Sequence, residues 1–202
     1  VPNYKGNPAT PFLLLMEVPF YAQKSMWHFI LGGVFERFPK LKYVMTEQGV
    51  SWVEPTLHRM DSIWDQMAST GRVGELGMTA DQMLPKKPSD YFQQNCWIGA
   101  SFPAPSDAKS IQDIGVNNVM WGSDYPHTEG TYPHTREAVR NTFAGWEESD
   151  LRAVLAGNAA HVYRMDLDHL APIASKHGPT LAELQEPIGT IPDNASPAFT
   201  RG

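Results

Sequence analysis

Asn118-Val119-Met120-Trp121-Gly122-Ser123-Asp124-Tyr125-Pro126-His127 is the stretch from which the fold can be read. Asn118 to Trp121 is short, apolar and partly β-branched or aromatic, so it reads as a strand. Gly-Ser-Asp ends that strand and a proline turns it, which carries Asp124 to the strand's C-terminal edge. In an α/β barrel this edge is the catalytic rim. His127 follows three residues later, and Glu129 two further on. A carboxylate, an imidazole and a second carboxylate this close suit metal binding or proton transfer. The plain alternative is a solvated polar loop with a turn proline.

Outward from this strand, helices and strands alternate. Lys42 to Thr46 reads as a buried strand that stops at Glu47-Gln48-Gly49, and Cys96 to Ser101 as another. Phe12 to Met16 is an apolar run that counts as a candidate fourth strand. A helical pattern follows Pro19, with Tyr21, Met26, Phe29, Ile30 and Val34 near one face, and it ends at Pro39. From Trp52 to about Ala68 a second helix carries a stripe of Val53, Leu57, Met60, Ile63, Trp64 and Met67. Ser69 to Pro88 reads as a loop. Further helices are expected over Ala108 to Ile114, over Pro133 to Phe143, and from a Ser149-Asp150 cap through Val162. After Asp168 the pattern weakens to a brief helix near Thr180 to Glu186. Ile191 to Gly202 is rich in Pro, Ala and Ser and reads as an arm or mobile tail.

Alternation of this kind means parallel strands joined by right-handed crossovers. A closed eight-stranded barrel takes about 250 residues, and this chain has 202 with a mostly helical last third. The expected fold is α/β: the C-terminal half of a (β/α)8 TIM barrel with extra C-terminal helices and a tail. Residues 1–168 form the barrel part and residues 169–202 an extension. The chain does not begin with Met and opens on a loop-like segment, so the expectation is a piece of something longer.

Composition narrows the function classes. The formal net charge is −6 with no basic cluster, which argues against nucleic acid or an anionic membrane as partner. No apolar stretch approaches the roughly 20 residues that span a bilayer, and residues 1–8 lack the pattern of a secretory signal. The single cysteine, Cys96, excludes an internal disulfide framework and a Cys-rich zinc site, and fits a cytoplasmic protein.

Three motifs carry a resemblance. They are Phe35-Glu36-Arg37-Phe38-Pro39-Lys40-Leu41-Lys42 before a strand, Trp121 to His127 after one, and Gly157-Asn158-Ala159-Ala160-His161-Val162-Tyr163 near the end. In this order they resemble the amidohydrolase-related (amidohydrolase 2) family of metal-dependent TIM barrels, which includes the aminocarboxymuconate-semialdehyde decarboxylase-like enzymes. The likeness runs over roughly residues 18–168. Members take metal ligands from a His-x-His or Asp-x-His on an N-terminal strand, a His on a middle strand, a His on a later strand and an Asp on the last. Asp124 matches that last Asp. The later His falls on Glu47, in Thr46-Glu47-Gln48-Gly49, where this chain departs from the pattern. The other ligands would lie before Val1. For a piece of the parent, the resemblance also allows a site without its metal.

The resemblance implies that Asp124 binds a divalent metal through one oxygen and takes a proton from the water that the metal acidifies; an Asp capping its own turn is the alternative. Glu47 is either a ligand replacing His, a base beside the metal, or a partner that orients Arg or backbone. Zinc is the first choice of metal, and a carboxylate in place of His moves the site towards manganese or magnesium. His127 contacts substrate, orients Asp124 or donates a proton to a leaving group, against the alternative of a solvated rim histidine. Glu129 is a weaker candidate. Ser123 is expected to bond its own turn, His134 to be structural, and Trp52 to wall an apolar or aromatic pocket.

The implied activity is a metal-dependent hydrolase acting on a small carboxyl or carbonyl compound through metal-activated water. Non-oxidative decarboxylation in the same site is one alternative, and an inactive half-barrel or interaction fragment is another. The expected partners are a small-molecule substrate and either a second copy of the chain or the missing N-terminal half, since a half-barrel exposes strand edges.

Overall fold

Tyr43-Val44-Met45-Thr46 and Cys96-Trp97-Ile98 are the β-branched and aromatic runs around which the chain builds its main sheet. In the computed structural model, which describes residues 4–199, the chain opens with helices α1 (Thr10–Leu31) and α2 (Val34–Arg37) and strand β1 (Tyr43–Gln48). Helix α3 (Val53–Thr70), a short antiparallel hairpin of β2 (Arg72–Val73) and β3 (Leu76–Gly77), and helix α4 (Pro88–Asn95) follow. Strand β4 (Cys96–Ser101), α5 (Asp107–Ile114) and β5 (Val119–Gly122) complete the sheet. The last part is helical: α6 (Thr135–Phe143), α7 (Glu148–Arg152), α8 (Asn158–Tyr163), α9 (Leu167–His177) and α10 (Leu181–Gln185).

Two compact units emerge, one from Val1–Leu41 with Asp61–Asn95, the other from Lys42–Met60 with Cys96–Gly202. In the first, Met26, Ile30, Phe35, Tyr91 and Phe92 are buried. The Tyr91 hydroxyl donates to Glu36 at 2.6 Å, and burial followed by this bond pushes the phenol up to about 12. Asn95 donates to the carbonyls of Pro39 and Leu41 at 3.0 and 2.8 Å.

The second unit holds the sheet. Its order is β1-β4-β5 and all pairings are parallel, with Tyr43 beside Cys96 and Ile98 beside Val119. Apolar residues such as Met45, Trp97, Ile98 and Val119 are buried, as strands of a parallel sheet require. Side-chain amides and an indole lock the strands. Asn118 donates to the Cys96 carbonyl at 2.8 Å, and Trp97 Nε1 to the Asn117 carbonyl at 3.0 Å. Asn158 donates to the carbonyls of Val116 and Val119, both at 2.7 Å, which ties α8 to the start of β5.

Several expectations need correction. Phe12 to Met16 is no strand but lies inside α1. Its Leu, Met and Phe side chains are unbranched at Cβ and tolerate a helix well, and the helix continues through Pro19. The helix expected to end at Pro39 is divided at Gly32-Gly33, where Gly33 takes φ +66 and starts α2. On α3, Val53, Leu57, Met60 and Met67 are buried, but Ile63 is exposed. The loop expected over 69–88 contains the β2–β3 hairpin and the first residue of α4. The helix starting near Ser149 has Glu147 as its N-cap, and a π-helical turn at Ala153–Gly157 separates α7 from α8. Helix α9, capped by the Asp166 side chain on the His169 amide, went unread because Pro172 interrupts its pattern.

The C-terminal arm is also different from its composition. Ala198 and Phe199 are buried together with Phe102 and Ala138. The last part of the expected arm, residues 200–202, and the opening residues 1–3 lie outside the described residues. Among the described residues no helix is long and apolar enough to cross a membrane.

Candidate functional site

The C-terminal ends of all three parallel strands carry a non-glycine residue in left-handed backbone: Glu47 at φ +57, Phe102 at φ +38 and Asp124 at φ +61. For an L-residue this conformation costs roughly 1 kcal/mol or more, and such strain gathers at functional sites. Asp tolerates it better than most because its short side chain bonds locally.

Asp124 leaves β5 two residues beyond Gly122, and its side chain is only 12% exposed. The carboxylate is held from two sides. Its Oδ2 lies 3.2 Å from His127 Nδ1, and Ser101 Oγ, at the end of β4, points its hydroxyl at Oδ1 from 3.5 Å. The turn itself is made by backbone. His127 N–H donates to the Asp124 carbonyl at 2.8 Å, Gly130 N–H to the His127 carbonyl at 3.1 Å, and Thr131 N–H to the Ser123 carbonyl at 2.9 Å. Ser123 Oγ accepts from Tyr125 N–H at 3.3 Å, the local bond expected of it. The Asp124 side chain thus faces His127 and Ser101 while the backbone closes the turn.

Gly130 is the residue that lets the loop close so tightly. A Cβ there would sit 2.6 Å from the Ser123 carbonyl oxygen and 3.1 Å from those of Asp124 and His127. The resulting fold brings one ligand atom each of Asp124, His127 and Glu129 within 4.8 Å of one another. Two ligands about 2.1 Å from one metal ion are at most about 4.2 Å apart, so a small side-chain adjustment would let all three touch one ion. The donor set of two carboxylates and an imidazole suits zinc or manganese. His127 is 58% exposed, which leaves the site open.

Glu47 is not part of this convergence. It is exposed, at a bulge in β1 where the pairing skips from Thr46–Gly99 to Gln48–Ala100. Because β4 lies between β1 and β5, Glu47 stands roughly 10 Å along the rim from Asp124 at about 4.8 Å per strand. Next to it, the buried Gln48 Oε1 and Trp52 Nε1 find no partner among the described residues. His134 is the N-cap residue of α6, with its ring against Asn194 Oδ1 at 2.7 Å, in keeping with a structural role.

Two residues of the site were missed in the sequence. Ser101 was read only as the end of a strand, and its reach to Asp124 depends on the β4–β5 register. Asn158 was noted as part of a motif without a task. Its carboxamide anchors the start of β5, the strand that leads to Asp124.

A family model described as amidohydrolase matches residues 16–165. Among solved structures, the chain is similar to the amidohydrolase map2389c of Mycobacterium avium subsp. paratuberculosis K-10, at 29% identity and a TM-score of 0.53, covering 68% of this chain and 32% of that one. It is similar to Metarhizium anisopliae IDCase in apo form, at 18% identity and a TM-score of 0.53, covering 81% of this chain and 46% of that one. The dihydroxybenzoic acid decarboxylase of Polaromonas sp. JS666, with bound manganese and the inhibitor 2-nitroresorcinol, aligns at 21% identity and a TM-score of 0.49 over 71% of this chain and 40% of that one. No curated protein matches. The chain therefore spans between 32% and 46% of the length of these structures. Its parallel strands and helices form part of a (β/α)8 barrel.

Proposed function

Because this chain belongs to the amidohydrolase family, we propose that it carries one part of the active site of a metal-dependent hydrolase acting on a small carboxyl or carbonyl compound. The observation that carries this reading is the convergence of Asp124, His127 and Glu129 at the end of β5. A divalent metal there, zinc first and manganese or magnesium after it, supplies Lewis acidity and makes water a nucleophile at neutral pH. Asp124 would hold such a metal through one carboxylate oxygen, and its other oxygen would be placed to take up a proton. His127, with Nδ1 3.2 Å from Asp124 Oδ2, has one of two tasks: it joins the metal's ligands through a ring nitrogen, or it stays unligated and turns Nε2 towards a leaving group. Glu129 serves as a further carboxylate of the same cluster. Glu47 is a third carboxylate, on the β1 side of the same rim and apart from the Asp124 cluster, where it serves as a base beside the metal or as a ligand in place of the family's His.

Residues 1–168 supply the barrel part, and residues 169–202 an extension to it. The protein works in the cytoplasm. Its site is completed by a second copy or by a segment that supplies the remaining strands. The test is Asp124→Asn: turnover should fall at least about 100-fold, in the range for loss of a general base, with the fold retained. Unchanged turnover would remove Asp124 from the mechanism.

A second reading is non-oxidative decarboxylation. It uses the same residues, with His127 as the acid that protonates the substrate carbon losing CO2. Release of CO2 rather than a hydrolysed product would select it.

A further inference from the structure

Proline-, alanine- and serine-rich segments are usually solvated, yet the one following α10 ends in a buried phenylalanine. Phe199 is 4% exposed and packs with Ala198, Phe102 and Ala138, with Ile188 and Ala195 against the group. Phe102 immediately follows β4 and donates its N–H to the Gly122 carbonyl at 2.7 Å, so it sits at the rim where β5 gives way to the Asp124 turn. Ala138 belongs to α6, which the same loop leads into.

Polar tethers run alongside. The Ser196 hydroxyl donates to the carbonyl of Gly130, the residue at the tightest point of the loop. Asn194 Oδ1 meets His134 Nε2 at 2.7 Å. Arg140 donates to the carbonyls of Glu186 and Pro187 at 2.7 and 3.0 Å. Contacts therefore fall on the beginning, middle and end of the segment, and they land on the rim, the loop and the helix after it.

We propose that residues 186–199 form a strap that holds the 123–134 loop in the conformation where the ligand atoms of Asp124, His127 and Glu129 converge. Ser196 and Phe199 are positioning residues in this role, because neither touches the cluster. Without the strap the loop keeps its backbone bonds to itself but loses its outer support at Gly130, His134 and Phe102. Loops open from such states at low free energy, well below that of the surrounding sheet. The metal-affinity consequence rests on the function proposed above; the loop-ordering consequence does not.

The experiment compares the protein with a truncation after Gln185, with Ser196→Ala and Phe199→Ala, and with the conservative Phe199→Leu. Amide exchange is followed at 123–134 and at 96–101, and affinity for Mn2+ is measured by calorimetry on the same samples. The strap predicts exchange at 123–134 faster by about 10-fold or more in the truncation and in Phe199→Ala, with 96–101 unchanged. It predicts weaker Mn2+ binding by a similar factor, and recovery of both in Phe199→Leu. Unchanged exchange at 123–134 in the truncation would overturn it. Equal acceleration at 96–101 would also overturn it, because the segment would then be a general stability element. If the unaltered protein binds no Mn2+, the metal reading fails and exchange alone decides the strap.

Discussion

Asn158→Ala should cost more stability than its small size suggests. Asn158 is 8% exposed, and its amide nitrogen spends both hydrogens on backbone carbonyls, Val116 and Val119, at 2.7 Å each. Each bond contributes about 1 kcal/mol net, and removing the donor leaves part of each carbonyl unsatisfied. Loss of the amide group also leaves a small void, at roughly another 1 kcal/mol. The sum is about 2–4 kcal/mol, or a fall in Tm of roughly 5–15 °C for a chain of this size. Asn158→Asp is the sharper probe. At neutral pH it sets a carboxylate oxygen against two carbonyl oxygens, so it should be less stable than Asn158→Ala. Thermal and denaturant unfolding followed by circular dichroism would measure both. Because Val119 begins the strand that leads to Asp124, loosening it should also weaken metal binding. An Ala variant within about 0.5 kcal/mol of the original, or an Asp variant more stable than Ala, would contradict this role of the Asn158 carboxamide.

Further outcomes follow from other parts of the structure. Gly130→Ala forces a Cβ to 2.6 Å from a backbone oxygen, so we expect a loss of about 1–3 kcal/mol together with altered Asp124 and His127 resonances; an unperturbed loop by NMR would contradict this. Cys96 is fully buried and burial pushes its thiol up, so alkylation at pH 8 should proceed only as the protein unfolds. Labelling at the rate of the unfolded chain would be inconsistent with the buried strand β4. Glu183 is held below the usual carboxylate range, first by the Thr180 backbone N–H, then by the Thr180 side chain, with Arg136 adding to the effect. A depressed carboxylate stabilises the fold above its unfolded pKa and loses that contribution as pH falls. Glu183→Gln should therefore lower Tm at pH 7 and match the original protein at pH values well below 4.5; a pH-independent difference would rule out this linkage.

The strands were legible because a buried parallel strand writes a compact apolar run, as Tyr43 to Thr46 and Cys96 to Ser101 do. Phe12 to Met16 writes the same kind of run inside a helix, and periodicity alone does not separate the two. The Asp124 turn was legible as chemistry because Gly-Ser-Asp-Tyr-Pro-His compresses unusual residue types into a strand end. The convergence of its side chains was not, since it depends on left-handed backbone at Asp124 and on the absence of a Cβ at Gly130. Glu47 and Asp124 were both legible as strand-end carboxylates, but their separation along the rim follows from β4 pairing between β1 and β5, which chain order alone does not fix. The arm misled for another reason. Its composition predicts disorder, and only the tertiary position of Phe102 gives Phe199 somewhere to bury.

The most direct measurement is Mn2+ binding to the purified protein, read by electron paramagnetic resonance, beside Asp124→Asn and Glu129→Gln. About one Mn2+ per chain is expected, with binding abolished in Asp124→Asn and weakened in Glu129→Gln. Equal binding by the original protein and Asp124→Asn would contradict the claim that the end of β5 holds the metal.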